Sequence, residues 1–413
     1  MESHRIVEQT AREAYGRLLS YLTVHWRNPQ DVEDALGDAF LSALQTWSKT
    51  GIPEKTEAWL LTIARRRLID RARRSRVSAE ALPTLLAMSG EAGHPSAPSG
   101  AELPDERLAM MLLCAHPAIE PAMRTPLMLQ TVLGMDAARI ASAFIVKPST
   151  MGQRLTRVKA KIRAERLTFE PADAEEIPGR LDSVLEAVYA AYGSGWDEVA
   201  AVGSPGGSWA GGGLAEEAIE LARLLLRFVP AEPEVHGVLA LMLHCEARRA
   251  ARRDREGNYV PLSEQDCARW DPGLIAEAER CLHAASQAGR IGRFQLMAAI
   301  QSVHAQRLRT GRTEWEAIAQ LYEGLIRVQP TLGAFVSRAA AVAEAYGADR
   351  GMALLASIPS AEVANYQPYW ALAGHLYKRM HRHDEAKSAY SRAIGLSAEG
   401  AVRQFLSRQL DGL

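Results

Sequence analysis

Apolar residues recur at three- and four-residue intervals along almost the whole chain. This periodicity, more than any other feature, limits what the chain can fold into. Such spacing lays one apolar stripe along each helix. From about Val7 the first stripe is Ala11, Ala14, Tyr15, Leu18, Leu19 and Leu22. A second starts near Gln30 and carries Val32, Ala35, Leu36, Ala39, Phe40 and Leu44, with Asp31, Glu33 and Asp34 in an acidic first turn, as a helix N-terminus prefers. After the break at Gly51-Ile52-Pro53, a third runs from about Glu57 to Arg76 with Leu60, Ile63, Ala64, Leu68 and Ala72 inward. Only 6% of residues are aromatic, and Ala and Leu are abundant, which favours helix over strand. An all-α chain is expected, and with 47% hydrophobic residues it buries a sizeable core.

Prolines and glycines divide the chain. Residues 77–104 hold Pro83, Pro95, Pro98 and Pro104 with Gly90, Gly93 and Gly100, and read as a flexible linker. The expected organisation is therefore a first domain over 1–76, the linker, a second domain over 105–170 and a helical extension over 178–413. Glycine-rich residues 203–213 and polar residues 254–259 read as loops. The first 170 residues carry 23 Lys and Arg against 19 Asp and Glu, whereas the whole chain has 48 against 49. A basic front and an acidic back suggest different partners for each.

The back half repeats itself. Ala218, Ala222, Leu225 and Pro230 share their spacing with Ile318, Tyr322, Leu325 and Pro330, and again with Ala386, Tyr390 and Ala393, where Ala398 stands in place of the proline. The second and third copies start 68 residues apart, twice the roughly 34-residue period of tetratricopeptide repeats. Trp370, Gly374 and Tyr377 also occupy the positions that repeat reserves for Trp, Gly and Tyr. A solenoid-like stack is expected there.

Two segments carry the chemistry. Between Arg65 and Arg76 seven arginines stand against one acid, Asp70. Like charges this dense repel unless a polyanion covers them. The planar guanidinium fork suits phosphate and stacks on bases. Arg65, Arg66, Arg67, Arg71, Arg73 and Arg74 are the candidate nucleic-acid contacts. The second segment reads as a short helix with Ile140, Ala141 and Phe144 inward, a turn at Val146-Lys147-Pro148, and a longer helix with Met151, Leu155, Val158 and Ile162 inward. This is helix-turn-helix spacing. Its outward residues Thr150, Gln153, Arg154, Arg157 and Lys161 are suited to base or phosphate contact in a major groove.

Enzyme chemistry finds no support. The glycine-rich stretch lacks the Lys-Ser/Thr pair of a phosphate loop. Cys114 and His116 are too close, and Cys245, Cys267 and Cys281 too scattered, for a structural zinc pattern. No catalytic residue, metal or cofactor is expected. No apolar run reaches the roughly 18 residues of a membrane span, and the N-terminus lacks the apolar core of a signal peptide. A cytoplasmic location without membrane contact is expected.

The order of these segments resembles the extracytoplasmic-function sigma factors of bacterial RNA polymerase. Asp34–Leu44 is similar to the part of sigma region two that docks on the clamp helices of the polymerase β′ subunit, which implies Asp34, Asp38 and Phe40 as polymerase contacts. Trp59–Arg74 resembles the part that opens and reads the minus-ten promoter element. Ala138–Arg163 resembles region four, which reads the minus-thirty-five element and lies against the polymerase β flap. Asp105–Ala118, Leu239–His244, Glu246–Arg252 and Gln265–Asp271 resemble segments of the subgroup with a long, tetratricopeptide-like C-terminal extension. The resemblance implies promoter-specific transcription initiation, with core polymerase and promoter DNA as partners and a protein or ligand on the repeats. The extension is expected to act as a required platform rather than as a mask over the basic surfaces. The other reading of the residues is a helix-turn-helix regulator with a repeat-built sensor that is no polymerase subunit.

Overall fold

The computed structural model describes residues 2–26, 28–74, 105–144, 146–165, 175–198, 213–397 and 399–413. The linker over 77–104, the glycine-rich stretch as far as residue 212, Arg76 and Ala398 lie outside the described residues. Among those described, every regular element is a helix, and the one β-bridge pairs Arg253 with Tyr259. No helix is long and apolar enough to cross a membrane. Two compact units divide the chain, one of residues 1–196 and 209–221, the other of residues 197–208 and 222–413.

The first unit opens with α1 (Glu2–Trp26), α2 (Pro29–Thr50) and α3 (Thr56–Arg74). Asn28 caps α2 by accepting from the Asp31 amide at 3.3 Å, with Pro29 pre-set for the first turn. The three stripes meet in one core in which Leu18, Leu19, Leu36, Leu60 and Leu68 are fully buried. Trp47 of α2 meets Trp59 of α3 edge to face at 5.5 Å. Next come α4 (Arg107–Cys114), α5 (Pro121–Thr131), α6 (Ala137–Ala143), α7 (Pro148–Ala164) and α8 (Ile177–Glu198). Gly134, at φ +63°, turns the chain between α5 and α6. α8 packs with this group. Its Val184, Ala187, Val188 and Ala191 are fully buried. Arg180, 4% exposed, donates from Nη1 to the Leu112 carbonyl at 3.2 Å. The front of α9 (Leu214–Phe228) joins too: a Cβ on Gly195 would stand 2.4 Å from the Ala215 nitrogen, and Arg107 bridges Asp105 and Glu217 at 2.7 and 2.6 Å.

The second unit continues through α10 (Pro233–Glu246), α11 (Pro272–Gln287), α12 (Arg293–Ala305), α13 (Arg307–Thr310), α14 (Trp315–Val328), α15 (Leu332–Tyr346), α16 (Ala348–Ala356), α17 (Ser360–Val363), α18 (Gln367–Arg379), α19 (His383–Leu396) and α20 (Gly400–Asp411). The repeated positions lie inward. Ala222 and Leu225, Ile318 and Leu325, and Ala386, Tyr390 and Ala393 are all buried. Helices cross where side chains vanish: a Cβ on Gly374 of α18 would meet the Tyr390 ring of α19 at 2.8 Å. Between α10 and α11 the chain is irregular, and its backbone carbonyls need donors from elsewhere. Arginines supply them. Arg269 donates to the carbonyls of Arg253 and Ala250, and Arg307 to those of Ser263 and Gln265 while lying over the Trp270 ring at 5.1 Å.

Candidate nucleic-acid interface

The arginine run lies on α3. Burial of Leu60, Leu61, Ala64, Leu68 and Ala72 fixes the face turned to the core, so the arginines take the remaining arc. Arg66, Arg67 and Arg73 are exposed. The structure separates Arg65 and Arg71 from them. Arg65 is half-buried, donating from Nη2 to the Tyr21 hydroxyl at 2.7 Å and lying over the Tyr21 ring at 5.4 Å. Arg71 spans Asp31 at 3.1 Å and Asp34 at 3.0 Å on α2. The side chain of Arg74 lies outside the described residues.

On α2, Asp34 and Asp38 are exposed one turn apart, while Phe40 is half-buried against Tyr15 with ring centroids 6.2 Å apart. The apolar residue that does face outward with the two acids is Leu41, 54% exposed. Sequence reasoning passed it over. The signal was present: position 41 falls off the face formed by Val32, Ala35, Leu36, Ala39, Ala43 and Trp47. An exposed leucine one turn beyond exposed acids is a surface suited to a partner that is both basic and partly apolar.

The second element is the α6–α7 pair. Asp136 caps α6 by accepting from the Arg139 amide at 2.8 Å, and Pro148 starts α7. Ile140, Ala141, Met151 and Leu155 hold the two helices together from within. Gln153, Arg154, Arg157 and Lys161 are exposed on α7 and Thr150 is half-buried at its start. Four polar or cationic side chains thus leave one helix outward, at the spacing a groove-reading helix uses. Lys159, unassigned from the sequence, is instead turned to α2 and pairs with Glu33 at 2.6 Å.

With this geometry in place, comparison with known proteins identifies the first part. The sigma-70 region 2 family matches residues 6–77, the span of α1, α2 and α3. Over 404 residues the chain is 35% identical to an uncharacterized protein of Rhizobium meliloti, covering 97% of this chain and 93% of that protein. The chain belongs to the same family. It is a sigma-factor-like protein. Residues 180–286 match a family of unknown function, DUF6596, and no solved structure matches the chain.

In this sigma-factor-like protein the region 2 match implies contact with core RNA polymerase and promoter DNA. Its boundaries coincide with the core shared by α1, α2 and α3. The family of unknown function begins at Arg180, the buried arginine that ties α8 to α4. Among the described residues no cluster of His, Cys, Asp and Glu is arranged to hold a metal ion. All four cysteines are free, with Cys114 and Cys281 buried, and burial above all pushes the Cys114 thiol up to about 12. Such a thiol is inert.

Proposed function

We propose that the chain is an RNA polymerase sigma factor of the extracytoplasmic-function type that directs promoter-specific initiation, with its C-terminal helical repeats as a regulatory platform. α2 docks on the β′ clamp helices through Asp34, Asp38 and Leu41. Exposed arginines of α3 grip the strands at the minus-ten element, where a base is flipped and held once the duplex opens. The α6–α7 helix-turn-helix reads the minus-thirty-five element beside the β flap through Gln153, Arg154 and Arg157. The observation that carries this reading is the exposed triad Arg66, Arg67 and Arg73 on the outer face of a helix that lies within the sigma-70 region 2 match. Cationic side chains held outward on a rigid helix need a polyanion to offset their repulsion. A sigma factor's role at the polymerase would place the chain in the cytoplasm.

Run-off transcription with core polymerase on a library of promoter fragments tests the proposal. Specific transcripts that depend on the chain are expected. DNA binding without transcripts would instead favour a regulator that is no polymerase subunit. The platform role is tested with a chain cut after Phe228, because a cut after Arg166 would remove α8 and lay bare its buried contacts. Lower transcription from the folded, shortened chain is expected, and higher transcription would make the repeats an inhibitor.

A further inference from the structure

Two segments of the second unit, Glu246–Arg252 and Gln265–Asp271, have no task in the proposed function. They fold against each other, and the Asp271 amide donates to the Ala247 carbonyl at 2.9 Å. At their junction lies Arg248, just past the end of α10 and 8% exposed. Its Nε donates to the His244 carbonyl at 3.2 Å, and its Nη2 donates to Gln301 Oε1 on α12 at 2.5 Å and lies 3.7 Å from Cys245 Sγ. None of these acceptors is a carboxylate, and Nη1 has no partner among the described residues. The carbonyl end of α10 offers only about half a unit of negative charge. Acids nearby are engaged elsewhere. Glu246 pairs with Arg249 at 2.5 Å, Asp266 and Asp271 accept from the amides of the turns that follow them, and Glu279 Oε1 accepts from Ser302 at 2.6 Å. A buried guanidinium left with neutral partners is costly.

Polar groups without partners stand around it. Both ring nitrogens of His244, 1% exposed, lack a hydrogen bond, although Glu279 lies 3.5 Å from Nε2. Trp270 Nε1 and Gln265 Oε1 lack one too, in side chains of residues 3% and 8% exposed. α12 and α13 hold these groups in one interior layer. Gln301 takes Arg248, while Arg307 lies over the Trp270 ring at 5.1 Å and donates to the Gln265 carbonyl at 2.8 Å. His304 sits midway between Gln301 and Arg307, and the charges of Arg248 and Arg307 add to burial in keeping its ring neutral.

Buried polar groups are ordinarily satisfied. Water would supply hydrogen bonds there but no charge to offset Arg248. The inventory of groups is more specific. Arg248 Nη1, the Trp270 Nε1–H and one nitrogen of neutral His244 are donors that need acceptors, whereas Gln265 Oε1 and the other His244 nitrogen are acceptors that need a donor. An oxyanion meets the first need, and one that keeps an O–H meets the second.

We propose that Arg248, His244, Trp270 and Gln265 form a binding site for a small oxyanion that carries a hydroxyl, a phosphate or a 2-hydroxycarboxylate. Arg248 and the Trp270 N–H hold the charged oxygens, and Gln265 accepts from the hydroxyl. The ligand thereby ties α10 to the irregular stretch that follows it.

The test titrates the full chain by calorimetry, in a chloride buffer at neutral pH, with inorganic phosphate and with glycolate. Sulfate and acetate serve as their counterparts without a hydroxyl. Saturable one-to-one binding of phosphate or glycolate is expected, at least tenfold tighter than its counterpart. Trp270→Phe keeps a ring under Arg307 but loses the N–H, and should weaken binding at least tenfold. Arg248→Lys should do the same, with circular dichroism confirming its helices, and Trp270→Phe alone decides if that variant does not fold. Arg309→Gln, at an exposed arginine on α13, should change nothing. No saturable binding, counterparts bound as tightly, or a Trp270→Phe chain that binds like the unaltered one would each overturn the site. So would an equal loss in Arg309→Gln, which marks diffuse attraction between charges. Polymerase and DNA take no part, so failure here leaves the sigma-factor reading standing, and failure of that reading leaves the site.

Discussion

Lowering the pH from 7.5 to 5.0 is predicted to destabilise the second unit through two histidines, the buried His244 on α10 and the half-buried His304 on α12. Burial, and then the charge of Arg248, lowers His244 to about 4. Burial, and then Arg248 and Arg307, lowers His304 to about 3. Glu279 lies 3.5 Å from His244 Nε2 and favours a charged ring, but it also accepts from Ser302 Oγ at 2.6 Å, and burial with Arg248 outweighs it. Both rings are neutral at pH 7.5 whether the chain is folded or not, so neither costs anything there. Below the ordinary histidine value of 6.5 the unfolded chain takes up protons that the folded chain refuses. Stability is therefore lost as pH falls from 6.5 towards 4 for His244 and towards 3 for His304. At about 1.36 kcal/mol per pH unit over about 1.5 units, each ring contributes a loss of about 2 kcal/mol at pH 5.0, and the pair about 4 kcal/mol. Hydrogen exchange of peptides from α10 and α12 in the full chain reads this loss locally. The double variant His244→Gln/His304→Gln should lose less stability than the unaltered chain by about that amount over the same pH interval. Equal losses in both would refute the reasoning.

Further predictions separate neighbouring residues by what they touch. Arg66→Ala, Arg67→Ala and Arg73→Ala should leave the melting temperature unchanged, and each should reduce the log–log slope of DNA affinity against salt by about 0.9 for every phosphate that the arginine neutralises. Arg65→Ala should lower stability by about 1–3 kcal/mol, since it strips the partner from Tyr21, and a thermal melt distinguishes the two outcomes. Arg154→Ala should cost about 1–3 kcal/mol on the cognate upstream element and less on a scrambled one, measured by fluorescence anisotropy. Asp38→Lys combined with Leu41→Lys should abolish co-purification with core polymerase while the circular dichroism spectrum is preserved. This pair is a cleaner probe than Asp34, whose reversal would also release Arg71.

Much of the fold was legible along the chain because helices are local. The stripes on α1, α2 and α3, the break at Gly51–Pro53 and the inward residues of α6 and α7 all follow from a 3.6-residue period and from turn chemistry acting over a few positions. The arginine run was legible for the same reason, as composition confined to one helix. Its internal division was not. Nothing within Arg65–Arg74 says that Arg65 meets Tyr21, 44 residues earlier, or that Arg71 meets Asp34, 37 residues earlier. Phe40 shows the same limit: its spacing placed it on the inward stripe while the resemblance implied it as a polymerase contact, and the packing of α1 on α2 turns it to Tyr15 and leaves Leu41 outside.

By itself, the sequence determined the helical class, the sigma-like order of segments, the basic outer face of α3 and the polar outer face of α7. Each of these depends only on which residues recur within a turn or two. The tertiary structure decided which charges are spent inside the protein and which are left for a partner. It also turned Lys159 away from the outer face of α7 and onto Glu33, 126 positions earlier, and set α8 beside α4 and α5. Those outcomes depend on distances between residues far apart in the chain. A helical period repeats every turn and carries no record of which other helix its face will meet.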